Sequence, residues 1–131
     1  MINTDVISEI RKRGKANKGV VKFFRDAAKD DAALYLSVVT VGELRRGVEL
    51  IRHRGDIAQA QRLETWLTLI LNEYHDNILN LDEAVAQVWG HLRVPHPENA
   101  LDKQIAATAL IHELTLVTRN EKHFAATGVK V

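Results

Sequence analysis

Short apolar runs alternate with helix-length amphipathic segments along this chain, which predicts an α/β fold: a three-layer sandwich with a central parallel sheet and helices on both faces. Two further observations agree. The strand-like runs are continuously apolar, as in a sheet covered on both sides. Acidic or amide residues, Asn3, Glu43, Asp102 and Asn120, sit where runs end or helices begin. With 131 residues, 46% of them hydrophobic, the chain has room for one core, so a single domain over 1–131 is expected.

The elements follow in order. Met1-Ile2 is a short opening strand. Val20, Val21, Phe23, Phe24, Ala27 and Ala28 have the spacing of one helix face. Leu34-Tyr35-Leu36-Ser37-Val38-Val39 reads as a buried strand, and Thr40 opens a helix through Leu44, Val48 and Ile51. After Gly55, the residues Ile57, Ala60, Leu63, Leu67 and Ile70 mark a second helix, so the two form a hairpin. Ile78-Leu79-Asn80-Leu81 is a short strand and Asp82 an N-cap, with Val85, Val88, Trp89 and Leu92 on the face of the helix that follows. Pro95 and Pro97 fall in a loop, and a helix from about Ala100 to His112 leads to a strand at Leu114–Val117. Val129-Lys130-Val131 is the last strand candidate.

Composition narrows the chemistry. There is no cysteine, which excludes disulfides, thiolate zinc sites and cysteine nucleophiles. No apolar run approaches the roughly 20 residues that cross a bilayer, and the start lacks a charged-then-apolar signal. A soluble cytoplasmic protein with no membrane partner is expected. Lys and Arg number 18 against 17 Asp and Glu, so bulk charge demands no polyanionic partner. Basic residues do cluster at Arg11, Lys12, Arg13, Lys15, Lys18 and Lys22, and again at Arg45, Arg46, Arg52 and Arg54. Such clusters cover a solvated face or track an RNA backbone. The six histidines have no zinc spacing and read as ordinary. Trp66 and Trp89 lie on apolar helix stripes and read as core, with Trp66 alternatively meeting a partner chain.

In a parallel α/β sheet the carboxyl ends of the strands share one edge with the helix starts, so distant polar residues converge there and can hold a metal ion. Taken singly, each has a plainer reading. Thr40-Val41-Gly42-Glu43 matches a capping box, and Asp102 lies in a first helical turn where the dipole favours acids. Yet Asp102 shares a stripe with Ile105, Ala106 and Ala109, and an inward carboxylate needs a partner.

The segment Ile2-Asn3-Thr4-Asp5-Val6-Ile7-Ser8-Glu9 resembles the opening motif, commonly written L-D-T-N-V-I-S-E, of PIN-domain ribonucleases of the VapC toxin type. The resemblance continues through Leu36–Gly47, resumes at Asp102–Ala109, and ends with Leu114-Thr115-Leu116-Val117-Thr118-Arg119-Asn120. It implies a PIN-like sandwich, a Mg2+ or Mn2+ pocket, endonucleolytic cleavage of RNA, a homodimer, and inhibition by a VapB-like antitoxin. Carried over by position, the family's four site residues fall on Asn3, Glu43, Asp102 and Asn120 as catalytic candidates, with Asn3, Asp5, Glu43 and Asp102 as metal ligands. Thr4, Ser37 and Thr118 would hold those ligands from behind, and Arg11, Arg13 and Arg119 would meet RNA. The main departure is Asn3, an amide where the family has its first aspartate, while Asp5 stands where the family often has Asn. The motif also begins near the chain's start and the chain stops earlier than the family usually does, so a shortened first strand and a trimmed chain are expected.

A metal-dependent endoribonuclease weakened at Asn3 is the leading expectation. The alternative is a catalytically silent PIN module that binds RNA or an antitoxin. A doubly wound phosphoacceptor receiver domain also clusters acids at strand ends, but it needs a lysine that this chain does not place well.

Overall fold

Neighbouring residues of the extended segments go to opposite cores, and that alternation makes the fold three-layered. In the computed structural model, which describes residues 1–131 apart from the Arg13 side chain, Met1, Leu79 and Leu116 pack with Ile105, Ala106, Ala109 and Phe124. Their neighbours Ile2, Ile78 and Val117 pack on the other side with Val6, Ile7, Leu44, Val48 and Leu67. Fully burying a side chain of this size contributes about 1.5–3 kcal/mol.

The sheet is small and parallel. Strands β1 (Leu36–Ser37) and β2 (Ile78–Leu79) pair with Leu36 opposite Ile78 and Ser37 opposite Leu79. A single parallel bridge joins Ile2 to Val117. Backbone N–H groups of Ile2 to Tyr35 (2.9 Å), Val117 to Met1 (2.8 Å) and Leu116 to Lys130 (2.7 Å) complete the lateral order. It runs from β2 through β1, residues 1–3 and residues 115–117 to Lys130. The strands expected at Leu114–Val117 and Val129–Val131 are therefore extended segments with too few paired groups to be regular strands.

Six α-helices surround this array: α1 (Thr4–Glu9), α2 (Lys18–Lys29), α3 (Val38–His53), α4 (Ile57–Glu73), α5 (Glu83–Leu92) and α6 (Ala100–Ile111). Short 3-10 helices follow α1 at Ile10–Lys15, precede β2 at His75–Asn77 and occupy Glu121–Phe124. The Asn17 side chain caps α2 by accepting from the Gly19 and Val20 N–H groups, and Asp82 caps α5 by accepting from Val85. Gly55, at φ 90°, supplies the left-handed residue between α3 and α4. The hairpin is locked by Arg45, whose two terminal nitrogens each donate to Glu64 at 2.8 Å. No helix among the described residues is long and apolar enough to cross a membrane.

One boundary differs from expectation in a way that matters for the site. Helix α3 begins at Val38, and not at Thr40, because the buried Ser37 hydroxyl accepts from the Val39 N–H at 3.0 Å and caps it. Thr40 is thus inside the helix, and the Thr40–Glu43 capping box does not form. Both side chains are free for a tertiary role.

Candidate active site

Asn3 ends the first extended segment and is the N-cap residue of α1, yet its side chain makes no capping bond. Its backbone performs the local work: the N–H donates to Val117 at 2.9 Å and the carbonyl accepts from Val6 and Ile7. The side chain is left for the cleft. It is 6% exposed, and its Nδ2 donates to Asp5 Oδ1 at 3.1 Å and to Thr118 Oγ1 at 3.0 Å.

Helix α3 brings Glu43 to the same place from the neighbouring strand. The Thr4 hydroxyl donates to Glu43 Oε1 at 2.6 Å and lies 3.0 Å from the Thr40 hydroxyl. Asp102 arrives from the first turn of α6, with Oδ2 2.8 Å from His123 Nδ1. Asn120 enters with the turn after Val117, where its N–H donates to Thr118 Oγ1 at 3.1 Å. Asn3, Glu43, Asp102 and Asn120 all line one cleft of about 260 Å³, and Thr4, Asp5, Ser8 and His123 complete its wall.

The cleft's charge is one-sided. Asp5, Glu43 and Asp102 contribute carboxylates, and among the described residues neither lysine nor arginine lines it. Such a concave acidic surface concentrates cations. Among the described residues no three carboxylate or histidine side chains form a ready metal cage. The donor set nevertheless suits a hard divalent cation, because Asn3 Oδ1 is a buried oxygen with no hydrogen-bond partner. It is the one such side-chain atom among the described residues.

Other expected site residues lie elsewhere. Ser37 is fully buried as the α3 cap and does not reach the cleft. Arg119 gives its backbone N–H to Asp5 Oδ2 at 3.0 Å, while its guanidinium donates to Glu9 at 3.1 Å. Glu9 also meets Lys12 at 2.9 Å and the Asn17 N–H at 2.9 Å, and these partners hold its carboxyl below the ordinary value. Arg11 lines a smaller hollow of about 140 Å³ that adjoins the cleft and shares Thr4, Ser8 and Glu43 with it. The Arg13 side chain lies outside the described residues. Trp66 and Trp89 are only partly buried. Trp89 donates to the Ala100 carbonyl at 3.0 Å, with the Arg93 guanidinium 4.8 Å above its ring.

His123 and Ser8 were not among the expected site residues. Reading the histidines as ordinary fails at His123, which is held in the cleft wall because the next residue, Phe124, is a fully buried anchor of the 3-10 turn. A histidine beside an apolar anchor, three residues after a motif asparagine, was the available signal.

Comparison with known proteins places this geometry in a family. The PIN domain model matches residues 1–130. The chain is 36% identical to Toxin FitB of Neisseria gonorrhoeae over 137 residues, covering 100% of this chain and 94% of that protein. It is 35% identical to Ribonuclease VapC4 of Mycobacterium tuberculosis over 105 residues, 73% of each chain. Among solved structures, FitAB bound to an IR36 DNA fragment superposes with a TM-score of 0.77 at 34% identity, over 99% of this chain and 91% of that one. With an acidic cleft assembled from the same distant segments that carry the motifs, the chain belongs to the PIN-domain family and is homologous to the FitB and VapC toxins of toxin–antitoxin systems.

Proposed function

We propose that this protein is the toxin of a toxin–antitoxin pair and a Mg2+- or Mn2+-dependent endoribonuclease, slowed by the amide at Asn3. The observation that carries the reading is the convergence of Asn3, Glu43 and Asp102 on one acidic cleft in which Asn3 Oδ1 has no partner. Likeness to a toxin and to a ribonuclease supports the reaction class.

Glu43, Asp102 and Asn3 Oδ1 are the groups that would hold the cation, and Asn120 lines the same cleft. A bound divalent ion supplies an activated water and offsets the charge that grows on phosphorus. The chain's own part is orientation. Thr4 fixes one Glu43 oxygen, and His123 fixes one Asp102 oxygen. Arg11, beside the adjoining hollow, is available to a phosphate of the RNA strand. A VapB-like antitoxin is the expected partner, since one similar solved structure is a FitAB assembly. A homodimer in the cytoplasm completes the proposal.

A silent RNA- or antitoxin-binding module is the second reading, favoured by the neutral Asn3 and by the lack of a ready cage among the described residues. Cleavage of a labelled RNA pool with Mg2+, Mn2+ or EDTA separates the two. Slow metal-dependent cutting, lost in Glu43→Gln and in Asp102→Asn, supports the enzyme. RNA binding with no cutting in either metal supports the module.

A further inference from the structure

Asp5 is a carboxylate held by three donors. Its Oδ1 accepts from Asn3 Nδ2 at 3.1 Å and its Oδ2 from the Arg119 N–H at 3.0 Å, while the Thr118 hydroxyl lies 3.5 and 3.3 Å from the two oxygens. A carboxylate offers about four acceptor sites, so little of Asp5 is left for a guest in the cleft. Thr118 is engaged as well. Its oxygen accepts from Asn3 Nδ2 and from the Asn120 N–H, and its single proton points to Asp5. Both Asn3 amide protons are therefore taken. One polar atom of the network is left over, the buried Asn3 Oδ1. The amide cannot turn round, because a flip would set that oxygen against the Asp5 carboxylate.

We propose that Asp5 is the positioning residue of this site: with Thr118 it fixes the Asn3 amide so that its oxygen, and not its NH2 group, serves a hard divalent cation as a neutral ligand. This rests on reading the cleft as a metal-dependent nuclease site. It also makes positions 3 and 5 a coupled pair, joined by one hydrogen bond whose donor and acceptor can trade places. Asn3→Asp alone sets two carboxylates against each other across a 3.1 Å contact. Adding Asp5→Asn restores the bond in reverse. The new amide keeps an oxygen for the Arg119 N–H, and the carboxylate moves from position 5 to the ligating position 3 with the cleft's net charge unchanged.

The test is Mn2+ affinity of the full chain, from electron paramagnetic resonance of the free ion, with thermal melts in EDTA to confirm folding. Asp5→Ala should weaken binding by about 10- to 100-fold, the usual cost of losing a group that orients a ligand. Asn3→Ala, which removes the oxygen without changing charge, should do the same. The double variant Asn3→Asp/Asp5→Asn should bind about tenfold tighter than the wild type, because ligand charge sets affinity, and tighter than Asn3→Asp alone. A double variant no tighter than wild type, or an Asn3→Ala protein with unchanged affinity, overturns the assignment while leaving a metal site standing. If neither the wild type nor the double variant binds Mn2+, the metal reading of the cleft falls and this inference falls with it.

Discussion

Thr4→Val removes one hydroxyl and keeps nearly the same volume, so it isolates the bond that holds Glu43. That bond is a hydroxyl donated to a carboxylate oxygen at 2.6 Å, a charge-assisted contact. Hydrogen bonds to charged groups contribute about 1.5–3 kcal/mol. Little of this should appear as lost stability, because Glu43 is partly exposed and water can replace the hydroxyl. It should appear in turnover, since a carboxylate released from Thr4 samples rotamers that do not face the cleft. Converted to rate, the loss is about 10- to 100-fold in kcat, with KM for RNA little changed. Thr4→Ser keeps the hydroxyl and should stay near wild type. The assay is steady-state cleavage of one RNA in Mn2+ by the three proteins, with thermal melts alongside. Equal kcat in wild type and Thr4→Val, or a Thr4→Ser protein as slow as Thr4→Val, would refute the idea that Thr4 orients Glu43.

The hairpin lock should be acid-sensitive in a defined window. Arg45, and then Arg52, pull the Glu64 carboxyl from 4.5 to about 2, so its contribution is complete above 4.5 and disappears as pH falls towards about 2. Thermal melts across that range should show a smaller acid-induced drop for Glu64→Gln than for wild type; parallel curves would deny the lock. Leu67 is fully buried on α4, and Leu67→Ala should cost about 2–5 kcal/mol by denaturant titration, a cavity penalty that a surface residue would not show. Leu69, 62% exposed on the same helix beside Trp66, would lie in the interface of the proposed homodimer. Light scattering should give twice 14.7 kDa for wild type and a monomer for Leu69→Glu, and a monomeric wild type at high concentration would remove the dimer.

Amphipathic elements were legible in the sequence because burial on one face imposes a period. Val20, Phe23, Phe24 and Ala27 sit together in α2, and Ala60, Leu67 and Ile70 are the buried positions of α4. The junction after β1 was not. Val38-Val39 is β-branched and reads as strand, but the Ser37 cap turns it into helix, a tertiary and capping choice that overrides propensity. The apparent capping box misled for the same reason: Thr40 and Glu43 have the right types and spacing, yet both turn to Thr4, thirty-six and thirty-nine residues away. The extent of the outer strands was also hidden, since apolar pattern says which face is buried but not how many backbone groups find partners. His123 was missed because a search for histidine pairs cannot see a histidine whose partner is Asp102, 21 residues distant.

Carboxylates lie at both ends of α1, Asp5 with Glu43 and Asp102 near its start and Glu9 at its end, and their contrast is what separates scaffold from site. Glu9 is buried among Lys12, Arg119 and the Asn17 N–H, so its charge is balanced within the protein. Asp5, Glu43 and Asp102 have donors for geometry, an amide, hydroxyls, a backbone N–H and one histidine, but among the described residues no lysine or arginine in the cleft for charge. A protein shaped for stability alone would neutralise such a surplus, because like charges in a shared, partly desolvated space oppose folding. The Arg119 guanidinium shows that a cation was within reach of the chain, since its own backbone touches Asp5 while its side chain turns to Glu9. The negative surplus is thus left open among the described residues, and under the proposed function a cation from solution would relieve it. The amide at Asn3 and the carboxylate at Asp5 fix where in the cleft that charge sits, which is why affinity for the cation is the quantity that substitutions at positions 3 and 5 should move most.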